Sequence, residues 1–226
     1  MALVRIKNET LVDKREATFL TAAAAASASA DSVTTVQDNS NFLTDNDYVL
    51  VGKIGSETSF SRREGVALLG LLNSVSRYGT VLEVGCEFGR STSIFANVAL
   101  NRNLRLHLID PFLTCDGKSG PICLEMLLKL NAKFVLHCKK TSELYMNELP
   151  TSIDLILIDG DHEEEGLTAD CEILLPKVSV GGGVCFHDYG RDSLPSVWPI
   201  VDKYTAGGWI SGWESLDLVD TQCMAR

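Results

Sequence analysis

Two apolar runs in the second half of the chain each end in side chains able to do chemistry. Ile153-Asp154-Leu155-Ile156-Leu157-Ile158 leads directly into Asp159-Gly160-Asp161-His162, and Gly183-Val184-Cys185-Phe186 leads into His187-Asp188. Neighbouring strands lie about 4.8 Å apart, so Asp159 and Asp188 can converge if their strands pair. Carboxylate oxygens at such a point favour a hard divalent cation, Mg²⁺ above all, with water and substrate hydroxyls completing the shell. Asp159, His187 and Asp188 are the candidate metal ligands. His162 opens the following helix on the rim, where a neutral imidazole is the natural base for a hydroxyl near pH 7. Asp159 and His162 are therefore the catalytic candidates. The plainer readings are that Asp159 or Asp161 caps that helix, and that His187 and Asp188 are polar loop residues. Glu163-Glu164-Glu165 reads as a solvated first turn that complements the helix dipole.

A second cluster lies earlier. Glu83-Val84-Gly85-Cys86-Glu87-Phe88-Gly89-Arg90-Ser91 follows an apolar strand, with two glycines bracketing a tight turn into a helix. Glycine there lets backbone approach a ligand without a Cβ in the way. The next strand ends in Asp110, where a carboxylate can accept hydrogen bonds from ribose hydroxyls. The pair points to a nucleoside cofactor. The spacing is E-x-G-x-x-x-G rather than G-x-G-x-x-G, which suits a pyrophosphate poorly. S-adenosylmethionine has no phosphate and carries a sulfonium and an ammonium, which suit a site lined by Glu83, Glu87 and Asp110.

These residues need a frame that places strand ends side by side. Ser61-Arg62-Arg63-Glu64 has the form of a capping box opening a helix to about Ser76. Strands are expected at 80–85, 104–109, 133–137, 153–158, 183–186 and 216–219. Helices are expected at 91–100, 122–132, 142–149, 163–175 and 197–204. Alternating units with nearly continuous apolar strands imply an α/β, doubly wound, mostly parallel sheet with helices on both faces. Ligands of such sheets sit at the carboxyl ends of the strands, where both clusters fall.

The glycine loop, the acid on the next strand and the order of elements resemble the class I S-adenosylmethionine-dependent methyltransferases, a Rossmann-like fold. That resemblance implies that the loop at Gly85 and Gly89 holds the amino-acid part of the cofactor and that Asp110 holds the ribose. Glu83, Glu87, Ser91 and Ser142 complete the candidate cofactor set. Ile158-Asp159-Gly160-Asp161-His162, Asp170, Gly181-Gly182-Gly183 and Phe186-His187-Asp188-Tyr189 are similar to the branch that includes macrolide sugar O-methyltransferases and cephalosporin-hydroxylase-like proteins. Enzymes of that branch often use a metal. Two departures stand out: Glu163-Glu164-Glu165 follows the Asp-His pair where an aromatic is common, and Lys139-Lys140-Thr141-Ser142 occupies the place of an acid that meets the adenine. The implied activity is methyl transfer to a hydroxyl of a small molecule. The alternatives are a non-catalytic S-adenosylmethionine-binding module and a dinucleotide-binding oxidoreductase.

The remaining features bound the partners. The chain has 226 residues, 45% hydrophobic and 22% charged, with a net charge of −10. That balance suits one globular domain, and the acidity offers no general attraction to phosphate backbones, so no nucleic-acid partner is expected. No apolar run is long enough to span a bilayer, so no membrane partner is expected. Self-association as a homo-oligomer stays open. The seven scattered cysteines form no zinc spacing and read as small hydrophobes of a reduced, cytoplasmic protein. Residues 1–41, with the Ala22–Ala26 run, read as a flexible low-complexity extension dispensable for folding, before a domain at 42–226. The opening also has the outline of a secretory signal, but Glu9, Asp13 and Glu16 spoil its positive region.

Overall fold

The computed structural model describes residues 2–5, 60, 62–207 and 211–215. In chain order the strands are β1 Ala2–Arg5, β2 Thr80–Val84, β3 Arg105–Ile109, β4 Phe134–His137, β5 Ile153–Ile158, β6 Val178–Phe186 and β7 Ser211–Ser215. The α-helices are α1 Arg62–Ser74, α2 Arg90–Arg102, α3 Ser119–Lys129, α4 Glu164–Leu174 and α5 Val197–Ala206. The sheet runs β4-β3-β2-β5-β6-β1-β7. Its pairs from β4 to β6 are parallel, and β1 is antiparallel to both its neighbours. The doubly wound α/β expectation holds, and β5 and β6 are neighbours as the carboxylate argument requires.

Period-two alternation along the strands divides the core between the two faces. Leu82, Val84, Ile156, Ile158, Val184 and Phe186 pack with Leu167, Cys171 and Leu174 of α4 and Val197, Ile200 and Val201 of α5. Val81, Leu106, Leu108, Leu155, Leu157 and Cys185 face the other way, onto Leu68 and Leu72 of α1, Ile94 and Phe95 of α2, and Cys123 and Leu127 of α3. Four cysteines, Cys86, Cys123, Cys171 and Cys185, are free and buried, as small core residues are expected to be. Among the described residues no helix is long and apolar enough to cross a membrane.

Three elements differ from expectation. The helix expected at 142–149 is only a 3₁₀ turn at Thr141–Glu143. There the Glu143 carboxylate accepts from the Lys140 N–H and the Glu148 carboxylate from the Tyr145 N–H, so local side-chain bonds take the place of a helical ladder. Strand β6 begins at Val178, earlier than expected. Its pairing jumps from Ile153↔Val178 to Leu155↔Gly183, so the glycine-rich stretch is an excursion absorbed inside the strand, with Gly181 at φ 80°. The final strand lies at 211–215, and residues 216–219 lie outside the described residues.

The chain's opening also differs. Ala2–Arg5 is a sheet strand, paired from Ala2↔Phe186 to Arg5↔Gly183 on one side and with β7 on the other. The remainder of the expected extension, residues 6–41, lies outside the described residues. Because β1 separates β6 from β7, deleting residues 1–7 is expected to lower Tm by roughly 4–8 °C, about 2 kcal/mol at this chain length. An unchanged thermal melt would show that the strand contributes nothing.

Candidate active site

The cofactor loop is shaped by two left-handed glycines and one carboxylate. Gly85 has φ 87° and Gly89 φ 90°. A Cβ on Gly85 would collide with the Asp159 carbonyl, and one on Gly89 would meet Met126 Cε at 2.6 Å and Cys123 Sγ at 3.2 Å. Glu87 between them is also left-handed, at φ 44°. Asp110 organises the turn: the Cys86 and Glu87 N–H groups each donate to its Oδ2 at 2.7 Å, and the Phe112 N–H donates to Oδ1 at 2.6 Å. A carboxylate has about four lone-pair sites, so one remains for a ligand hydroxyl.

Not every expected cofactor residue faces the cavity. Gly85, Glu87, Asp110 and Ser142 line a cavity of about 540 Å³, together with Lys140, Asp159, His162 and Asp170. Glu83 is fully buried beneath the loop and accepts a hydrogen bond from the Ser91 hydroxyl. Burial pushes its carboxyl up to about 8, against the pull of Ser91. Glu83 and Ser91 thus support the loop from below, and Gly89 packs on α3; none of the three lines this cavity. Burial, with Asp159 and Asp110 nearby, also raises the Glu87 carboxyl.

At the ends of β5 and β6 two carboxylates and two imidazoles meet. His162 Nε2 lies 3.4 Å from Asp159 Oδ1 and 3.0 Å from Asp188 Oδ2. His187 Nδ1 lies 3.3 Å and 3.2 Å from the same two oxygens, and its Nε2 lies 3.0 Å from Glu64 Oε1. Arg191 Nη1 takes the other Asp188 oxygen at 2.8 Å. Asp159 and Asp188 hold His162 up to about 9. Burial opposes ionisation of Asp188, but His162, His187 and Arg191 outweigh it and hold the carboxyl well below the usual range. Burial works against a charged His187 as well, and Asp159, Asp188 and Glu64 still raise it well above an ordinary imidazole.

The geometry changes two assignments. Asp159, His162 and Asp188 place ligand atoms within 4.8 Å of one another, so His162, expected only as a base, joins the metal-capable set. The two aspartates that face its Nε2 favour the protonated form. His187, expected as a ligand, turns Nδ1 to the same two oxygens from the buried side, 3% exposed and stacked on Phe60 at 5.5 Å. Two contributors, Glu64 and Arg191, were missed in the sequence, and Asp170 was noted there without a role. Glu64 was read as a cap, yet it is buried against His187; its spacing with Leu68 and Leu72, four residues apart on one helical face, was the available signal. Asp170, raised to about 6 by burial, lines the cavity beside Thr141. Arg191 had no signal beyond its place three residues after Asp188.

Residues 82–189, just under half of the chain, match a family described as methyltransferase domain. Two solved structures align well: a methyltransferase of Podospora anserina bound to S-adenosylhomocysteine and a putative rRNA-methylase of Clostridium thermocellum. The first has 15% identity and TM-score 0.54 over 87% of this chain and 89% of that chain. The second has 17% identity and TM-score 0.52 over 65% and 83%. The fold is that of a class I methyltransferase. These matches do not single out the sugar O-methyltransferase branch. A protein of Acanthamoeba polyphaga mimivirus is 31% identical over 139 residues, 56% of this chain, and the chain spans 59% of that relative's length. The expectation of no nucleic-acid partner is withdrawn. The same fold carries a protein described as an rRNA-methylase, so an acidic net charge does not exclude such an acceptor.

Asp110→Ala is expected to weaken S-adenosylhomocysteine binding by on the order of 1–3 kcal/mol, because three backbone N–H groups of the turn lose their acceptor. Calorimetry giving wild-type affinity would place the cofactor elsewhere. Glu83 generates a pH effect with a definite sign. An ordinary Glu carboxyl titrates at 4.5 and the folded one at about 8, so the folded state holds the extra proton between them. Its stabilising contribution is full below 4.5 and is lost as pH rises through 8. Relative to Glu83→Gln, wild type should lose on the order of a few kcal/mol between pH 5 and pH 9 in denaturant titrations. Parallel stability profiles would contradict this.

Proposed function

We propose that the chain is an S-adenosylmethionine-dependent O-methyltransferase that binds its cofactor over Gly85, Glu87 and Asp110 and takes an acceptor hydroxyl at the Asp159–His162–Asp188 corner. The observation that carries the reading is one cavity of about 540 Å³ lined both by Gly85, Glu87 and Asp110 of the loop and by Asp159 and His162 of that corner, with Asp188 Oδ2 held 3.0 Å behind His162 Nε2. Its size suits a nucleoside cofactor with a small hydroxylated acceptor beside it. The acidic lining of Glu87, Asp110 and Asp159 complements a ligand carrying a sulfonium and an ammonium.

The reaction is an in-line displacement. The acceptor O–H gives its proton to a base, the oxygen forms a bond to the methyl carbon, and the carbon–sulfur bond breaks with its electron pair left on sulfur. The products are a methyl ether and S-adenosylhomocysteine. Most of the acceleration comes from alignment of oxygen, methyl and sulfur. Asp159, His162 and Asp188 are the side chains that fit a divalent cation, which would orient the hydroxyl and lower its pKa. Asp159 and Asp188 hold and orient the His162 imidazole, whose Nε2 lone pair serves one role at a time: with a cation in place it would be a ligand and the acidified hydroxyl would lose its proton to water, and without one the deprotonated imidazole is the group placed to accept that proton. Ile109, Leu113 and Leu194 give the cavity its apolar lining.

The test supplies the full chain with methyl-labelled S-adenosylmethionine and a panel of catechols, sugars and other hydroxylated compounds, with RNA alongside. Label is expected on an acceptor oxygen, and His162→Ala should lower kcat by roughly 10²–10⁴-fold while S-adenosylhomocysteine affinity persists. Excess chelator should abolish turnover with cofactor binding intact. Binding of S-adenosylhomocysteine without turnover on any acceptor would leave a non-catalytic binding module. Binding of NADH in its place would restore the oxidoreductase reading.

A further inference from the structure

We infer that the corner formed by Asp159, His162, His187 and Asp188 takes a first-row transition ion such as Mn²⁺, Co²⁺ or Zn²⁺ in preference to Mg²⁺, with Glu64 as the positioning residue that turns His187 toward it. This rests on the proposed methyl-transfer site, in that it names which cation that site holds.

The first observation is that Asp159, His162 and Asp188 place ligand atoms within 4.8 Å of one another and that His187 Nδ1 faces the same two aspartate oxygens. Asp159 Oδ1 and Asp188 Oδ2 are each approached by both imidazoles, at 3.4 and 3.3 Å for the first and 3.0 and 3.2 Å for the second. Two ligand atoms on an ion with bonds of about 2.1 Å lie about 3.0 Å apart at a right angle and about 3.4 Å apart at the tetrahedral angle. All four separations fall in that interval. Arg191 occupies Asp188 Oδ1 and leaves Oδ2 to face the corner.

The second observation concerns His187 itself. Its side chain is 2% exposed, and neither ring nitrogen makes a hydrogen bond of good geometry. The Phe60 ring stacks on it at 24°, and Glu64 Oε1 faces Nε2. A carboxylate on the far nitrogen is the arrangement that fixes the tautomer of a metal-bound histidine: Nε2 carries the hydrogen, and the Nδ1 lone pair points at the ion. In this corner Nδ1 points at the two aspartate oxygens.

The donor chemistry then decides the ion. Mg²⁺ takes oxygen ligands in a strict octahedron and keeps much of its water. Imidazole nitrogen suits the first-row transition ions and Zn²⁺, and affinity for nitrogen climbs along that series. A corner with two imidazoles against two carboxylate oxygens, one imidazole sealed in place by Phe60 and Glu64, is mismatched to Mg²⁺.

The experiment uses the full chain, stripped with chelator and titrated without cofactor with Mg²⁺, Mn²⁺, Co²⁺ and Zn²⁺, followed by pulsed electron paramagnetic resonance of the Mn²⁺ form. Mn²⁺ and Zn²⁺ are expected to bind at least about 100-fold more tightly than Mg²⁺, with nitrogen couplings from coordinated imidazole. Glu64→Gln should lower Mn²⁺ affinity roughly 10–100-fold and change the nitrogen couplings, and Glu64→Asp should restore part of both. Equal affinity for Mg²⁺ and Mn²⁺, absence of nitrogen coupling, or no cation bound would overturn the inference, and none of these depends on a variant folding. Calorimetry with S-adenosylhomocysteine on the same protein separates the two claims. Cofactor binding with a Mg²⁺ preference leaves the methyl-transfer reading intact and removes this one, whereas transition-ion binding without cofactor binding does the reverse.

Discussion

The site depends on a parallel hydrogen-bond ladder that continues one residue past the end of each strand. The His187 N–H donates to the Ile158 carbonyl, Asp159 to Val84, Gly85 to Ile109 and Asp110 to His137. Each first residue after a strand is thus pinned by the last carbonyl of its neighbour, and the four stand in a row along one sheet edge. The contact at the centre of that row has no slack, because Gly85 lies against the Asp159 carbonyl where no Cβ fits. The β2–α2 turn and the carboxylate corner are therefore tied together through backbone contacts. Movement of one strand end by a fraction of an ångström is felt by both.

Burying so much charge at the neighbouring corner is tolerable because it is matched. Asp159, Asp188 and Glu64 face His162, His187 and Arg191 across separations of 2.8–3.4 Å. Removing one member leaves another buried without a partner, which costs more than the pair contributes. The loop side uses a different device. Asp110 there meets backbone N–H groups rather than cations, and Glu83 beneath it meets Ser91. Two kinds of acid thus share one edge: one organised by backbone dipoles, the other by imidazoles.

Much of this was legible in the sequence because strand periodicity and the position after a strand are local signals. The apolar runs at 80–84, 105–109 and 153–158 and the residues that follow them could be placed without coordinates, and with them Gly85, Asp110, Asp159 and Asp188. What was not legible depended on contacts far apart in sequence. Ala2–Arg5 is four residues long and becomes a strand only because β6 and β7 offer it two edges. Glu64 matches a cap by local pattern, and only the fold reveals that it meets His187, more than a hundred residues away. Glu83 and Asp110 look alike as acids near a glycine loop, yet one lies under the loop and the other beside it. That distinction follows from strand pleat, since Glu83 is inside β2 and Asp110 is just past β3.

The state of His162 ties the corner's charge to its chemistry. An imidazole held up to about 9 by two aspartates carries a proton at neutral pH, and a group that holds a proton cannot accept one. The same nitrogen faces the same two oxygens that would share a cation, so proton and cation compete for one position. A cation bound at this corner would have to displace that proton. Without a cation the two imidazoles and two carboxylates of the corner pair by charge at 3.0–3.4 Å. A site of this composition is poised between structural and chemical roles, and what occupies the space between Asp159 and Asp188 decides which it serves.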